Sequence, residues 1–306
     1  METQPPVIPA EPPVETGPAN KILNTPGAVP FGPGFHIEGS KRQILGAIRA
    51  RSVTDKRISN FWIILPLLIG LVGVTIGGLL VFLWVWDNYY DILNGTMSID
   101  IYGGMMGGMI VILLTLIAVF AILAMLTYML VERQNEHFKR EAQLRMGIMS
   151  YLRASAGSPE KEASMAVEIA TMNSLHVQAM QAERPHSAIG WALVTFIGTI
   201  FFPINVIFVL YLFYFLMENV SAHDSRWNMF LQQTGSAMAK LGHDIDPRAW
   251  YTITIPHRSF GFYLVLTLIT LGLFSFYWGY SLIKDPNDHF QNQALSEDML
   301  AGIVSR

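Results

Sequence analysis

Apolar residues fall along this chain in four long blocks separated by charge-bearing stretches. No Asp, Glu, Lys or Arg occurs in the 29 residues between Arg57 and Asp87, the 31 between Asp100 and Glu132, the 33 between Arg184 and Glu218, or the 25 between Arg258 and Lys284. Roughly 20 apolar residues in a helix cross about 30 Å of hydrocarbon, so every block is long enough. The pattern predicts membrane helices near 60–86, 103–131, 188–217 and 260–283. The fold class that follows is all-α: a polytopic integral membrane protein with four hydrophobic segments.

The polar stretches carry a different period. The second segment predicts a helix that continues to about Arg153, where Ala154-Ser155-Ala156-Gly157-Ser158-Pro159 breaks it. A further helix is predicted from Pro159 to Glu183, with proline at a favoured first position and Glu160 and Glu162 in the first turn. Its apolar stripe runs Met165, Ile169, Met172, Leu175 (or His176) and Met180. The 223–242 and Ala294–Val304 stretches read as similar short amphipathic helices. Four regions result: a disordered Pro-rich tail over 1–40, a transmembrane hairpin with its helical extension over 41–153, a helical connector over 154–187, and a second pair of membrane units over 188–306.

Charge sets the expected orientation. Seven Lys or Arg precede the first segment, six of them between Lys41 and Arg57, and seven more lie in 132–184. The 87–102 loop has none, but has Asp87, Asp91 and Asp100. By the positive-inside rule the N-terminus and the 132–184 loop are expected in the cytoplasm of a multi-pass cell-membrane protein. The first 34 residues hold nine prolines and no apolar run, so no cleaved signal peptide is expected there.

Small residues mark where helices one and two should meet. Gly73-x-x-x-Gly77 lies in the first, and Gly103, Gly104, Gly107 and Gly108 open the second. Such residues let backbones approach closely. A helical hairpin is the simple use of them, and homodimerisation the rival.

The chain also repeats itself. Glu132-x-x-Asn135-Glu136-His137-Phe138 follows segment two, and Lys284-Asp285-Pro286-Asn287-Asp288-His289-Phe290 follows segment four. After segment three, Glu218 to His223 keeps the five-residue offset of Glu132 to His137, and Asp224 follows. The sequence thus reads as three related units, each a hydrophobic element ending in a short polar helix. Four ordinary spans, the leading reading, put His223 on the side opposite His137 and His289. The other reading makes segments three and four re-entrant helical hairpins, breaking at Phe202-Pro203-Ile204-Asn205 and Thr270-Leu271-Gly272.

Thr270-Leu271-Gly272-Leu273-Phe274-Ser275-Phe276-Tyr277-Trp278 resembles the Thr-x-Gly-Ile-Tyr-x-x-Tyr-Trp signature of small prokaryotic membrane domains, the Domain of unknown function DUF4234 family. Leu273-Phe274 stands where that pattern has Ile-Tyr. The resemblance covers 258–290, and implies membrane location and repeated hydrophobic units. It implies no activity and no site residues.

Candidate chemistry is sparse. His137, His223 and His289, with nearby Glu136, Asp224 and Asp288, are the candidates for a divalent metal. No pair has the His-x-x-x-His spacing that places two imidazoles on one helix face, so the leading expectation is interfacial histidines, with no metal site, no cofactor and no catalytic residue. Walker, Gly-x-Ser-x-Gly, His-Glu-x-x-His and dinucleotide signatures are missing. Hydrophobic residues make up 52% and charged ones 14%, against about 25% charged in globular chains. The absence of cysteine excludes thiolate chemistry, and a net charge of −3 gives no reason to expect nucleic acid as a partner. The expected partners are the lipid bilayer and either other proteins or further copies of the chain. The expected function is a non-catalytic membrane scaffold or accessory subunit; the alternative is a small oligomeric channel or transporter-like protein.

Overall fold

The computed structural model describes residues 37–96, 101–198, 201–243, 250 and 254–306, with the side chains of 101–104 and 202–204 left aside. The tail expected over 1–40 lies outside the described residues as far as 36; residues 37–40 are helical and open the first element. The described residues are mainly helical and contain no strand. In chain order the helices are α1 (Ile37–Thr54), α2 (Phe61–Asp87), α3 (Tyr89–Asn94), α4 (Ile101–Ala156), α5 (Pro159–Ser164), α6 (Ala166–Ala182), α7 (Ala188–Gly198), α8 (Phe202–Lys240), α9 (Phe260–Ile269) and α10 (Phe274–Val304).

Among the described residues, three stretches are long and apolar enough to cross a membrane: Phe61–Asp87, Met105–Ala156 and Asn205–Lys240. The first two predicted segments are each one continuous helix. The other two are not. Segment three is split between α7 and α8, and segment four between α9 and α10. Arms of 11 residues in α7 and 10 in α9 reach only about 15–17 Å, half the hydrocarbon thickness. The break in segment four has a local cause. Leu271 and Gly272 take φ of 50° and 92°, a left-handed pair that a helix cannot continue through, and the Gly272 N–H turns back to the Thr267 carbonyl at 2.8 Å. The Thr270 hydroxyl then accepts from the Phe274 N–H at 2.9 Å and starts α10.

Each split segment folds back on itself. Trp191 on α7 packs against Tyr211 and Phe215 on α8, with ring centroids 5.8 and 5.4 Å apart. On the other hairpin Phe260 and Tyr263 of α9 meet Trp278 of α10 at 5.4 and 5.5 Å, and Arg258, just before α9, forks onto Asp285.

Helices α2 and α4 form the third hairpin. A Cβ on Gly77 would stand 2.9 Å from the Gly108 carbonyl, and one on Gly108 2.8 Å from the Gly77 carbonyl. One on Gly73 would overlap Thr115. Gly107 faces open space, and the side-chain positions of Gly103 and Gly104 lie outside the described residues. Most of the outward face of α2 is bare and apolar, including Leu71, Val72, Leu79 and Phe82.

Three helices, α4, α8 and α10, pass through the same three layers in the same chain direction. Leu126, Leu130 and Val131, then Leu212, Phe215 and Leu216, then Trp278, Leu282 and Ile283 build one apolar core. Farther along each helix, Leu144, Ile148 and Leu152, then Trp227, Phe230 and Leu231, then Leu300 and Val304 build a second, with Ile44 of α1 and Met165, Ile169, Met172 and Leu175 of the connector. The connector thus buries the predicted stripe except at its end, where Ala179 is buried and Met180 exposed. Between the two cores lies a layer of buried charge.

Candidate metal centre

The middle layer begins where each of the three helices leaves the first core. His137 on α4, His223 on α8 and His289 on α10 are buried, each 1–2% exposed, not spread along an accessible interface. Their ring centroids form a near-equilateral triangle with sides of 5.0, 5.3 and 5.1 Å. Glu141, one helical turn beyond His137, reaches the same point. Its Oε2 is 2.7 Å from His223 Nε2 and 3.5 Å from His137 Nε2, and the two Nε2 atoms are 3.1 Å apart. One donor atom from each of His137, Glu141, His223 and His289 lies within 4.8 Å of the other three. Tetrahedral ligands at 2.0–2.1 Å from zinc sit roughly 3.4 Å apart, so within the 4.8 Å limit the widest pair needs a contraction of up to about 1.4 Å, and the closest, 2.7 Å apart, an expansion of about 0.7 Å.

The outer nitrogen of every ring is held by a carboxylate. His137 Nδ1 meets Asp55 Oδ1 at 3.0 Å, His223 Nδ1 meets Glu183 Oε1 at 3.0 Å, and His289 Nδ1 meets Asp224 Oδ1 at 2.7 Å. Carboxylates in this position fix the tautomer and turn the Nε2 lone pair inward, as they do around metal-bound histidine. His289 displays the consequence: its Nε2 is buried with no hydrogen-bond partner. Burial, then the neighbouring His223 and His137, push the His289 pKa below its ordinary value against the pull of Asp224.

Arginines hold the carboxylates in turn. Arg140 binds Asp55 at 2.8 Å and Glu297 at 2.7 Å; Arg145 binds Glu141 at 2.6 Å and Glu183 at 2.8 Å; Arg226 also binds Glu183. Burial pushes the Asp55 carboxyl upward, but its bond with His137 and the Arg140 guanidinium outweigh that and hold it at about 2. Glu183 is likewise raised by burial, yet His223 and Arg145 keep it well below the usual carboxylate range.

The residue after each histidine serves the next ring. Phe138 lies 4.5 Å from the His223 ring, Asp224 bonds His289, and Phe290 lies 4.5 Å from the His137 ring. This closed cycle gives the repeated His-Phe pair a structural reason and relates the three units by an approximate threefold. Residues 258–305 match the family model described as Domain of unknown function (DUF4234). The matched stretch takes in all of α9 and α10 and one of the three histidines, so the DUF4234-like part is one unit of the cycle. No curated protein and no solved structure matches the chain.

Of the groups singled out from sequence, the three histidines and Asp224 converge. Glu136 is not among the converging donors, and Asp288 pairs with Lys284 instead. Glu141 lies outside the repeated motif. His137-x-x-x-Glu141 places both on one helix face, a spacing as informative as a His-x-x-x-His pair. Asp55, Glu183 and Glu297 carry no local signal, because their partners lie 82, 40 and 157 residues away.

A cavity of about 20 Å³ borders the three histidines on the side of the first core. That is room for roughly one water. Leu130, Leu216, Leu282 and Phe290 wall it, with Arg133 and Gln134.

Proposed function

We propose that this chain is a metal-tied integral membrane scaffold, in which one divalent transition-metal ion joins the polar ends of three helical hairpins. The convergence of His137, Glu141, His223 and His289, with each imidazole oriented by its own carboxylate, carries the reading. Imidazole and carboxylate donors suit zinc, iron, cobalt or nickel better than calcium or magnesium. Four protein donors can complete a tetrahedral shell, the pattern of a structural ion. Binding such an ion contributes on the order of 10 kcal/mol, as much as the whole stability of many domains.

In this reading the bilayer surrounds the first core. Helices α2 and α4 cross it, while the hairpins α7–α8 and α9–α10 enter and leave on the cytoplasmic side with the N-terminus. Rings within 5.3 Å of each other cannot be divided by about 30 Å of hydrocarbon. The turn of the last hairpin supports insertion as well. Leu271 is 96% exposed and Leu273 71%, yet backbone groups around them are satisfied locally by Thr270 and Ser275, as apolar surroundings demand. The second core then forms a cytoplasmic helical layer. Its helix α6 leaves Val167, Val177 and Met180 exposed, a surface available to a partner protein or a second copy. A channel-like oligomer is the rival function, and solute flux in liposomes would favour it.

Metal analysis of the full chain, purified in detergent without chelator, tests the site. One transition-metal equivalent per chain is expected, with metal affinity lowered about tenfold or more in His137→Ala or His289→Ala. A chain that arrives metal-free and takes up no zinc, iron or cobalt on titration would sink the proposal.

A further inference from the structure

Resting on that metal reading, we infer that the ion keeps a fifth position open toward the adjoining cavity, where it takes one small exogenous ligand, water or a small monoanion. The four protein donors approach from the helices that surround the ion, while the cavity against the three rings has the size of a single small molecule. Two side chains that line its wall offer what an anion needs, a donor and a charge. Gln134 lies one turn before His137 on the same helix; it is 8% exposed, and its amide nitrogen is buried with no hydrogen-bond partner. An unsatisfied buried donor is costly, and a ligand oxygen or nitrogen in the cavity would accept from it.

Arg133 supplies the charge. It is 4% exposed, and its bonds go to the Leu282 and Ile283 carbonyls and the Asn287 amide oxygen. Among the described residues no carboxylate pairs with it. Six carboxylates, Asp55, Glu141, Glu183, Asp224, Glu297 and Asp298, face five arginines, Arg51, Arg133, Arg140, Arg145 and Arg226, so a dication leaves the layer net positive by one. A monoanion on the metal reduces that excess in surroundings of low dielectric, where it matters most. The apolar remainder of the wall excludes a second ligand. A site of this kind would let the scaffold respond to a small anion through the ion that ties it together.

Cobalt(II) makes the test visible. The metal-stripped full chain in detergent is loaded with one equivalent of cobalt and titrated with azide, following the visible ligand-field bands. A saturable change in the bands is expected. Gln134→Leu should keep one cobalt per chain but bind azide about tenfold more weakly, the worth of one hydrogen bond. Cobalt bound with bands indifferent to azide would mean a closed four-coordinate shell; this inference then falls and the metal site stands. Failure to bind cobalt at all would remove both. Unchanged azide affinity in Gln134→Leu, or loss of its cobalt, would overturn the part given to Gln134.

Discussion

A proline at position 286 removes the N–H that an α-helix would direct to the carbonyl four residues earlier. That carbonyl belongs to Leu282, inside the first core, and Arg133 from α4 donates to it at 2.9 Å. Asn287 completes the repair next door by bonding both the N–H and the carbonyl of Ile58, at 3.2 and 2.9 Å. The helix defect is thus what lets α4 and the segment just before α2 grip α10 beside the histidine layer. Arg133→Met should leave the Leu282 carbonyl buried and unpaired, a cost of about 1–3 kcal/mol. In a Pro286→Ala background the new N–H can take the carbonyl, so the same change should cost less. A double-mutant cycle by thermal unfolding in detergent measures the coupling; additive effects would break the proposed link. Both residues are visible in the sequence, and a proline after a membrane segment invites attention. Their pairing is not legible, because it depends on two hairpins lying side by side.

At the scale of elements, glycine faces decide how α2 and α4 pack. The small-xxx-small pattern points to both helices but does not choose a face, since the frame Gly103-x-x-x-Gly107 and the frame Gly104-x-x-x-Gly108 are equivalent on paper. Tertiary contact separates them: Gly77 and Gly108 are buried against each other's backbone, while Gly78 and Gly107 have nothing within 4 Å. A methyl at position 77 or 108 meets carbonyl oxygen that cannot swing away, so Gly77→Ala and Gly108→Ala should each cost about 1–3 kcal/mol through overpacking. Gly78→Ala and Gly107→Ala should be neutral or slightly stabilising, since alanine is the better helix former by about 1 kcal/mol. Melting temperatures of the four variants in one detergent check this. Equal losses at all four positions would mean that the open face is also packed, as in a dimer. Helix α1 teaches the complementary lesson. Its sparse apolar positions give no membrane signal and its charges bear on orientation alone, yet Ile44 is fully buried against Gly147 of α4.

The side of the membrane on which each unit ends governs the whole molecule. The sequence carried the essential conflict: three similar polar ends, but an even number of hydrophobic blocks that put one of them on the wrong side. Length and hydropathy could not resolve it, because a block of 25 or 33 uncharged residues suits one long helix or two short ones equally well. Backbone geometry at Leu271-Gly272 and the meeting of three imidazoles favour short ones. A chain without cysteine allows a direct test with single cysteines at the exposed positions Asn94, Ser174, Ser225 and Leu295, labelled in intact cells by an impermeant maleimide. Re-entrant hairpins with a cytoplasmic N-terminus predict labelling of residue 94 alone, with 174, 225 and 295 reacting only after lysis. Four ordinary spans predict that 225 labels together with 94, which would place His223 across the bilayer from His137 and His289 and dissolve the metal centre as well. The mirror result, with 94 protected and the other three labelled, would invert the orientation drawn from the lysines and arginines while leaving the hairpins and the shared histidine layer intact. Topology and metal chemistry therefore constrain each other: no arrangement that separates residues 225 and 295 is compatible with one ion holding all three histidines.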